Sequence, residues 1–337
     1  IRRQRQMCIR DRLGADTDFS AAIVKNPVFT TAYIYRALTR TRMGNYDDAL
    51  QDFREAIDLR PDLPDAYYSR GYTRLQNKQY EEAIEDFDKF IFQENKVADA
   101  YIGRGTAYLY LKDTVRALEN FDQAIRTNRE NPNGYYQRGT LLLQKEEYAR
   151  AEADFDMSIR CDSAFLPPYF NRAVVYSNTN RPMQALADFD RVLQLDSTNS
   201  FTYFNRAILR TQIGDYNRAL DDFDRVALYS PGNVQVYYLR AMLKTRLGDL
   251  EGAERDYTRA IELYPDFANA YLNRSALRYA LHNPKAAKRD EEIAQRKIAE
   301  YKSHLKDSTY SIYADTTQRM DLSLIHISEP TRQEAIS

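Results

Sequence analysis

Four Asp-Phe-Asp tripeptides, at residues 86–88, 154–156, 188–190 and 222–224, set two carboxylates two positions apart. Clustered carboxylates could hold Ca²⁺ or Mg²⁺. These lie within apolar patterns of helical period, however, where side chains at i and i+2 point to different sides. The oxygen-rich loop of known calcium motifs is absent too. A recurring arginine in the preceding helical segment offers a better partner. Asp52, Asp86, Asp154, Asp188, Asp222, Asp256 and Asp290 are each expected to meet an arginine of the facing helix. Such partly buried pairs fix register more than they add stability.

The remaining chemistry is sparse. Cys161 follows Arg160 with no His or second Cys nearby, and reads as a structural thiol. His282 falls in a turn and His304 in an exposed extension, neither placed for a metal or a triad. No glycine-rich phosphate loop, zinc spacing or nucleophile elbow occurs. No cofactor is expected, and no enzyme activity.

Composition narrows the classes further. The 337 residues carry 48 Lys+Arg against 49 Asp+Glu, a balance that argues against a strongly basic nucleic-acid binder. Hydrophobic residues at 43% and charged residues at 29% describe a soluble folded chain. No apolar run reaches the roughly 18 residues of a membrane-spanning helix. Two cysteines exclude a disulfide scaffold. The 27 tyrosines, with no tryptophan, demand a repeated structural role.

That role is periodic. Tyr33, Tyr67, Tyr101, Tyr135, Tyr169, Tyr203, Tyr237 and Tyr271 stand 34 residues apart. Each is followed three residues later by Arg, from Arg36 to Arg274, then by Ala, Gly or Ser. An alanine recurs sixteen after each tyrosine, from Ala49 to Ala287, and an aromatic four later in seven units. Tyr67, Arg70/Gly71 and Arg74/Leu75 share one helical face, and Ala83, Phe87 and Phe90/Ile91 share another. The turn between them holds Gln76 to Gln79, with glycine in sister units (Gly44, Gly214, Gly248) as a helix cap. Helix–turn–helix units therefore start near 30, 64, 98, 132, 166, 200, 234 and 268.

This pattern resembles the tetratricopeptide repeat family. In the sixth unit its signature positions are Tyr203, Ala207, Gly214, Tyr216, Ala219, Phe223 and Pro231, with Val226 in the second alanine slot. The resemblance covers residues 30–301 and implies an all-α fold, an α-solenoid of repeats forming a right-handed superhelix. Ala15, Phe19, Ala22 and Pro27 keep the register, so residues 13–29 read as the second helix of a truncated repeat. In the last unit Glu291 replaces the aromatic and Pro284 opens the second helix, as suits a capping repeat, and 302–321 read as its end and a polar tail.

The two ends break the pattern. One coding of Met7–Asp11, reverse-complemented, encodes the Leu322–His326 peptide. Residues 1–12 and 322–337 thus resemble translated sequencing adapters and are expected not to be biological. On this expectation a leader lost upstream cannot be judged; the cytoplasm is the default compartment and the periplasm stays open.

The family resemblance further implies a concave groove lined by first helices, which docks extended peptides or helices. The residue after each repeat tyrosine is expected to face it, including Tyr68, Tyr136, Phe170, Phe204 and Tyr238. The next position supplies Gln137, Asn171, Asn205 and Asn273, similar to a partial asparagine ladder for a peptide backbone. The Lys/Asn/Arg clamp of chaperone-binding relatives is missing from this apolar stripe. The expected function is a scaffold that binds a partner protein or peptide. The alternative is the recognition arm of a larger enzyme or signalling protein, and a third reading is a self-assembling subunit.

Overall fold

The computed structural model describes the backbone of residues 2–303 and the side chains of residues 13–301. The expectations for residues 322–337 and His304, and for most of 302–321, lie outside these. So do the side chains of residues 1–12. Among the described residues there are seventeen α-helices and no strand. The chain is an all-α helical-repeat protein, and it groups into two compact units that meet in sequence between Asn171 and Arg172.

In the first unit, α1 (Arg2–Lys25) precedes four helix pairs. These are α2 (Thr30–Met43) with α3 (Tyr46–Leu59), α4 (Pro64–Gln76) with α5 (Tyr80–Gln93), α6 (Ala98–Tyr110) with α7 (Thr114–Thr127), and α8 (Pro132–Gln144) with α9 (Tyr148–Cys161). The unit boundary falls inside α10 (Pro167–Asn178). The second unit continues with α11 (Pro182–Leu195) and the pairs α12 (Ser200–Gln212) with α13 (Tyr216–Tyr229), α14 (Val234–Leu247) with α15 (Leu250–Leu263), and α16 (Ala268–Ala280) with α17 (Pro284–Ser303).

One backbone device makes every pair. A residue with positive φ ends the first helix at Gly44, Lys78, Lys112, Glu146, Asn180, Gly214, Gly248 and His282. The next residue donates its N–H back five positions, as from Asn45 to the Arg40 carbonyl at 2.9 Å and from Asp215 to Arg210 at 2.8 Å. These bonds satisfy carbonyls that the helix end leaves open. Helix starts are held by Asn199, Asn233, Asp113 and Asp249, whose side chains accept from N–H groups of the first turn.

The core centres on one ring in each of the first seven repeats. Phe53, Phe87, Phe121, Phe155 and Phe189 are fully buried, and Phe223 and Tyr257 nearly so. Small residues let the neighbouring helix reach the ring. A Cβ built on Gly103 would meet the Phe87 ring at 2.5 Å, so only glycine fits there. The repeat tyrosines have a second duty. The Arg36 guanidinium lies 5.6 Å from the Tyr33 ring centre, and Arg70, Arg104, Arg206, Arg240 and Arg274 repeat this at 5.3–5.6 Å.

Candidate partner-binding face

What the first helices can offer a partner depends on which of their polar groups are already engaged. The expected aspartate–arginine pairs form at all seven positions. Arg36–Asp52, Arg70–Asp86, Arg138–Asp154, Arg172–Asp188, Arg206–Asp222, Arg240–Asp256 and Arg274–Asp290 are each joined by two hydrogen bonds of 2.5–2.9 Å. The carboxylates are 0–6% exposed. In the third repeat Asn120 takes the aspartate's place and accepts from Arg104 Nε at 2.7 Å. A second cation, Arg40, Arg74, Arg210, Lys244 or Arg278, reaches the same carboxylate in five repeats at 2.7–2.9 Å.

The second aspartate of the tripeptide has a partner that the sequence reading did not assign. Asp88 accepts from Arg104 at 2.5 Å, and Asp122, in the Asn-Phe-Asp of the third repeat, from Arg138 at 2.6 Å, each one repeat further on. Asp190 with Arg206, and Asp224 with Arg240 at 2.8 Å, repeat this in the second unit. The spacing signal was present, since Asp88 precedes Arg104 by the same sixteen residues that separate Arg70 from Asp86. Asp86, Asp88, Asp154, Asp188, Asp190, Asp222 and Asp224 of the tripeptides therefore accept from guanidiniums. Hydrogen bonding to Asp154, with Asp122 beside it, holds the Arg138 guanidinium well above its ordinary pKa against the opposing effect of burial.

In the first unit the expected groove residues Tyr68, Tyr136, Gln137, Phe170 and Asn171 are half-buried and stand on α4, α8 and α10, first helices of their repeats. Tyr68 packs on Tyr72, with ring centres 5.0 Å apart, and on Phe90 at 4.9 Å. Burial pushes the Tyr68 phenol up to about 12, with Asp99 and Asp65 adding to the shift. Adjacent first helices are bonded directly: Thr41 to Thr73 at 2.9 Å, Tyr72 Oη to the Asp99 carbonyl at 2.8 Å, and Asn171 Nδ2 to Thr140 Oγ1 at 3.0 Å.

In the second unit the expected exposure fails at three positions. Phe204 is 5%, Asn205 3% and Tyr238 7% exposed. Phe204 packs edge-on against Phe223, and Tyr238 against Tyr257 and Phe267. Asn205 donates to the Phe201 carbonyl in its own helix at 2.9 Å. These side chains serve the core, because adjoining helices crowd the stripe that helical period alone assigns to the surface. Asn273 is half-buried and donates to the Tyr238 hydroxyl at 2.9 Å. Like Asn171, it spends an amide proton within the repeat array.

Exposed apolar side chains sit elsewhere on these helices: Tyr35 and Tyr110 in the first unit, Met242 and Tyr279 in the second, at 45–52%. Helical spacing could have found three of them. Tyr110 is eight residues past Ile102, Met242 four past Tyr238 and Tyr279 seven past Leu272, each returning to the same helix face.

Little else is poised for chemistry. The Cys161 thiol donates to the Arg129 carbonyl at 3.5 Å, and burial raises its pKa, the reverse of an activated thiolate. His282 occupies a left-handed turn position. Among the described residues no helix is long and apolar enough to cross a membrane.

Comparison with known proteins agrees with this architecture. A TPR repeat model matches residues 37–78, and tetratricopeptide repeat models match 102–164 and 234–267. A model of anaphase-promoting complex subunit 5 matches residues 170–227. No curated protein matches the chain. Among solved structures, pilF of Pseudomonas aeruginosa is similar at 21% identity and a TM-score of 0.55, covering 60% of this chain and 92% of its own. A tetratricopeptide repeat protein from Parabacteroides merdae is 18% identical, with a TM-score of 0.53, covering 79% of this chain and 98% of its own. The Cut9–Hcn1 hetero-tetramer of the APC/C gives 16% identity and a TM-score of 0.56, over 83% of this chain and 54% of the other.

Proposed function

We propose that this chain, a tetratricopeptide repeat protein, is a non-enzymatic scaffold that captures a partner protein or peptide on the first-helix face. The observation that carries this reading is the division of labour along the repeats. The ladder arginines of the first helices are consumed by aspartates, and the face beside them keeps aromatic rings and amides. Half-buried Tyr68, Tyr136 and Phe170 offer rigid apolar area at low entropic cost, the kind of residue that dominates interface energy. Gln137, Asn171 and Asn273 supply amide groups for a peptide backbone. In the second unit the contact falls to Met242 and Tyr279, which have the surface that Phe204, Asn205 and Tyr238 lack.

Affinity capture from a lysate of the source, with mass-spectrometric readout, tests this. The Tyr136→Ala/Phe170→Ala chain should lose partners that the parent retains, at unchanged helical circular dichroism. Equal capture by both would reject the face as the binding site.

A further inference from the structure

Negative charge is distributed unevenly over the first helices. Across α2, α4, α6, α8, α10, α12, α14 and α16 only two residues are acidic, Asp65 in α4 and Asp99 in α6. They occupy the same repeat position, 34 residues apart, each two before its repeat tyrosine. A carboxylate in the first turn favours a helix by about 0.3–1 kcal/mol through the helix dipole. That general benefit does not explain the placement, because the other first helices begin without one. Among the described residues neither Asp65 nor Asp99 is in an ion pair. The cations of α4 and α6 are committed elsewhere, Arg70 and Arg74 to Asp86, and Arg104 to Asn120 and Asp88.

Both carboxylates stand beside one pair of rings. Asp65, Tyr68 and Tyr72 follow at i, i+3 and i+7 on one face of α4. Asp99 comes from the neighbouring first helix, where its carbonyl accepts from Tyr72 Oη at 2.8 Å. Its carboxylate accepts from the Asn131 amide at 2.7 Å, which fixes the group and leaves its charge uncompensated. Burial, then the charges of Asp99 and Asp65, hold the proton on the Tyr68 phenol, so both carboxylates act at this ring. The Tyr68 and Tyr72 rings meet at 68°, with centres 5.0 Å apart. Asp65 is exposed, and Tyr68, Tyr72 and Asp99 are half-buried.

We propose that these first helices dock a basic segment of the partner, with a lysine or arginine side chain lying on the Tyr68–Tyr72 rings beside Asp65 and Asp99. This rests on the scaffold reading and names the chemistry of its partner. The cation gains a ring face and two carboxylates together, while its methylene stem covers apolar surface. An acidic or uncharged segment would leave both carboxylates against the partner without a counter-charge, which sets specificity.

The probe is a phage library of random dodecapeptides, panned on the full chain in about 0.15 M salt, where a Debye length of about 8 Å screens all but close charges. Enrichment of peptides carrying Lys or Arg is expected. A fluorescein-labelled copy of the most enriched one should bind Asp65→Asn/Asp99→Asn about tenfold more weakly, read by anisotropy. Asp58→Asn, on an exposed face of α3, should leave the affinity unchanged. Panning on the charge-reversed Asp65→Lys/Asp99→Lys chain should select acidic peptides instead, an outcome that loss of fold cannot produce. Enrichment of peptides without basic residues, or of basic ones indifferent to Asp65→Asn/Asp99→Asn, would overturn the proposal. If Tyr136→Ala/Phe170→Ala releases those peptides, the scaffold reading stands while this one falls. No enrichment would also overturn it, and the lysate capture then decides the scaffold reading on its own.

Discussion

Arg138 Nη1 lies 2.6 Å from the carboxylate of Asp122, one repeat upstream, while the rest of its guanidinium grips Asp154 within its own repeat. One side chain thus sets both the fit of two helices within a repeat and the stacking of that repeat on its neighbour. Its two contacts differ in environment, since the Asp122 side chain is 42% exposed and that of Asp154 only 7%. Asp154→Asn should therefore cost about 3 kcal/mol in urea unfolding, because it removes the buried charge that takes two of the guanidinium's hydrogen bonds. Asp122→Asn should cost less than about 1 kcal/mol, as exposed pairs do. Equal costs would contradict the two-tier description.

The Thr202 hydroxyl is fully buried and has no hydrogen-bond partner among the described residues. Its counterpart one repeat on is Val236, equally buried. A buried unsatisfied polar group costs about 1–3 kcal/mol. Thr202→Val should accordingly raise stability by about 1 kcal/mol, measured as a shift of the thermal midpoint, while Thr202→Ser should not.

Gly214 ends its helix at φ +85°, where an added side chain touches nothing but the backbone conformation itself is strained for L-residues. Gly214→Ala should lower stability by about 1 kcal/mol. At the equivalent Lys78, φ is +62°. Lys78→Gly should gain a smaller amount, since added chain entropy offsets part of the relief.

Burial pushes the Tyr257 phenol up to about 12, as it does for Tyr68. An unfolded tyrosine ionises near 10. A raised pKa means that the folded state holds its proton longer, so this stabilisation is complete below about pH 10 and is lost as pH rises towards 12. The urea midpoint should fall across that window, and less steeply in Tyr257→Phe. Phenolate absorbance should lag that of free tyrosine until the chain unfolds.

Much of this was legible in the amino-acid order because each repeat is read eight times. The 34-residue spacing of the tyrosines and the sixteen-residue step from Arg70 to Asp86 both report contacts inside one helix pair, where sequence distance determines geometry. Contacts between repeats are less direct. The step from Asp88 to Arg104 has the same length as the internal one, and only the stacking of the helices tells the two apart. The stripe containing Phe204 and Tyr238 failed for a related reason. Helical period says which side of a helix a residue occupies, but not how closely the adjoining helices crowd it. Asn171 and Asn273 have the side chains of a peptide-binding ladder, yet each donates within the array, to Thr140 and Tyr238.

The most direct test of the scaffold assignment compares the partners retained by the parent chain and by Tyr68→Ala/Tyr136→Ala/Phe170→Ala, using quantitative affinity mass spectrometry at matched helical content. The three rings stand on first helices of the first unit and take no part in the aspartate–arginine ladder. Loss of the partners from the variant, with the fold intact, is the predicted result. Retention of the same partners at the same abundance would contradict it.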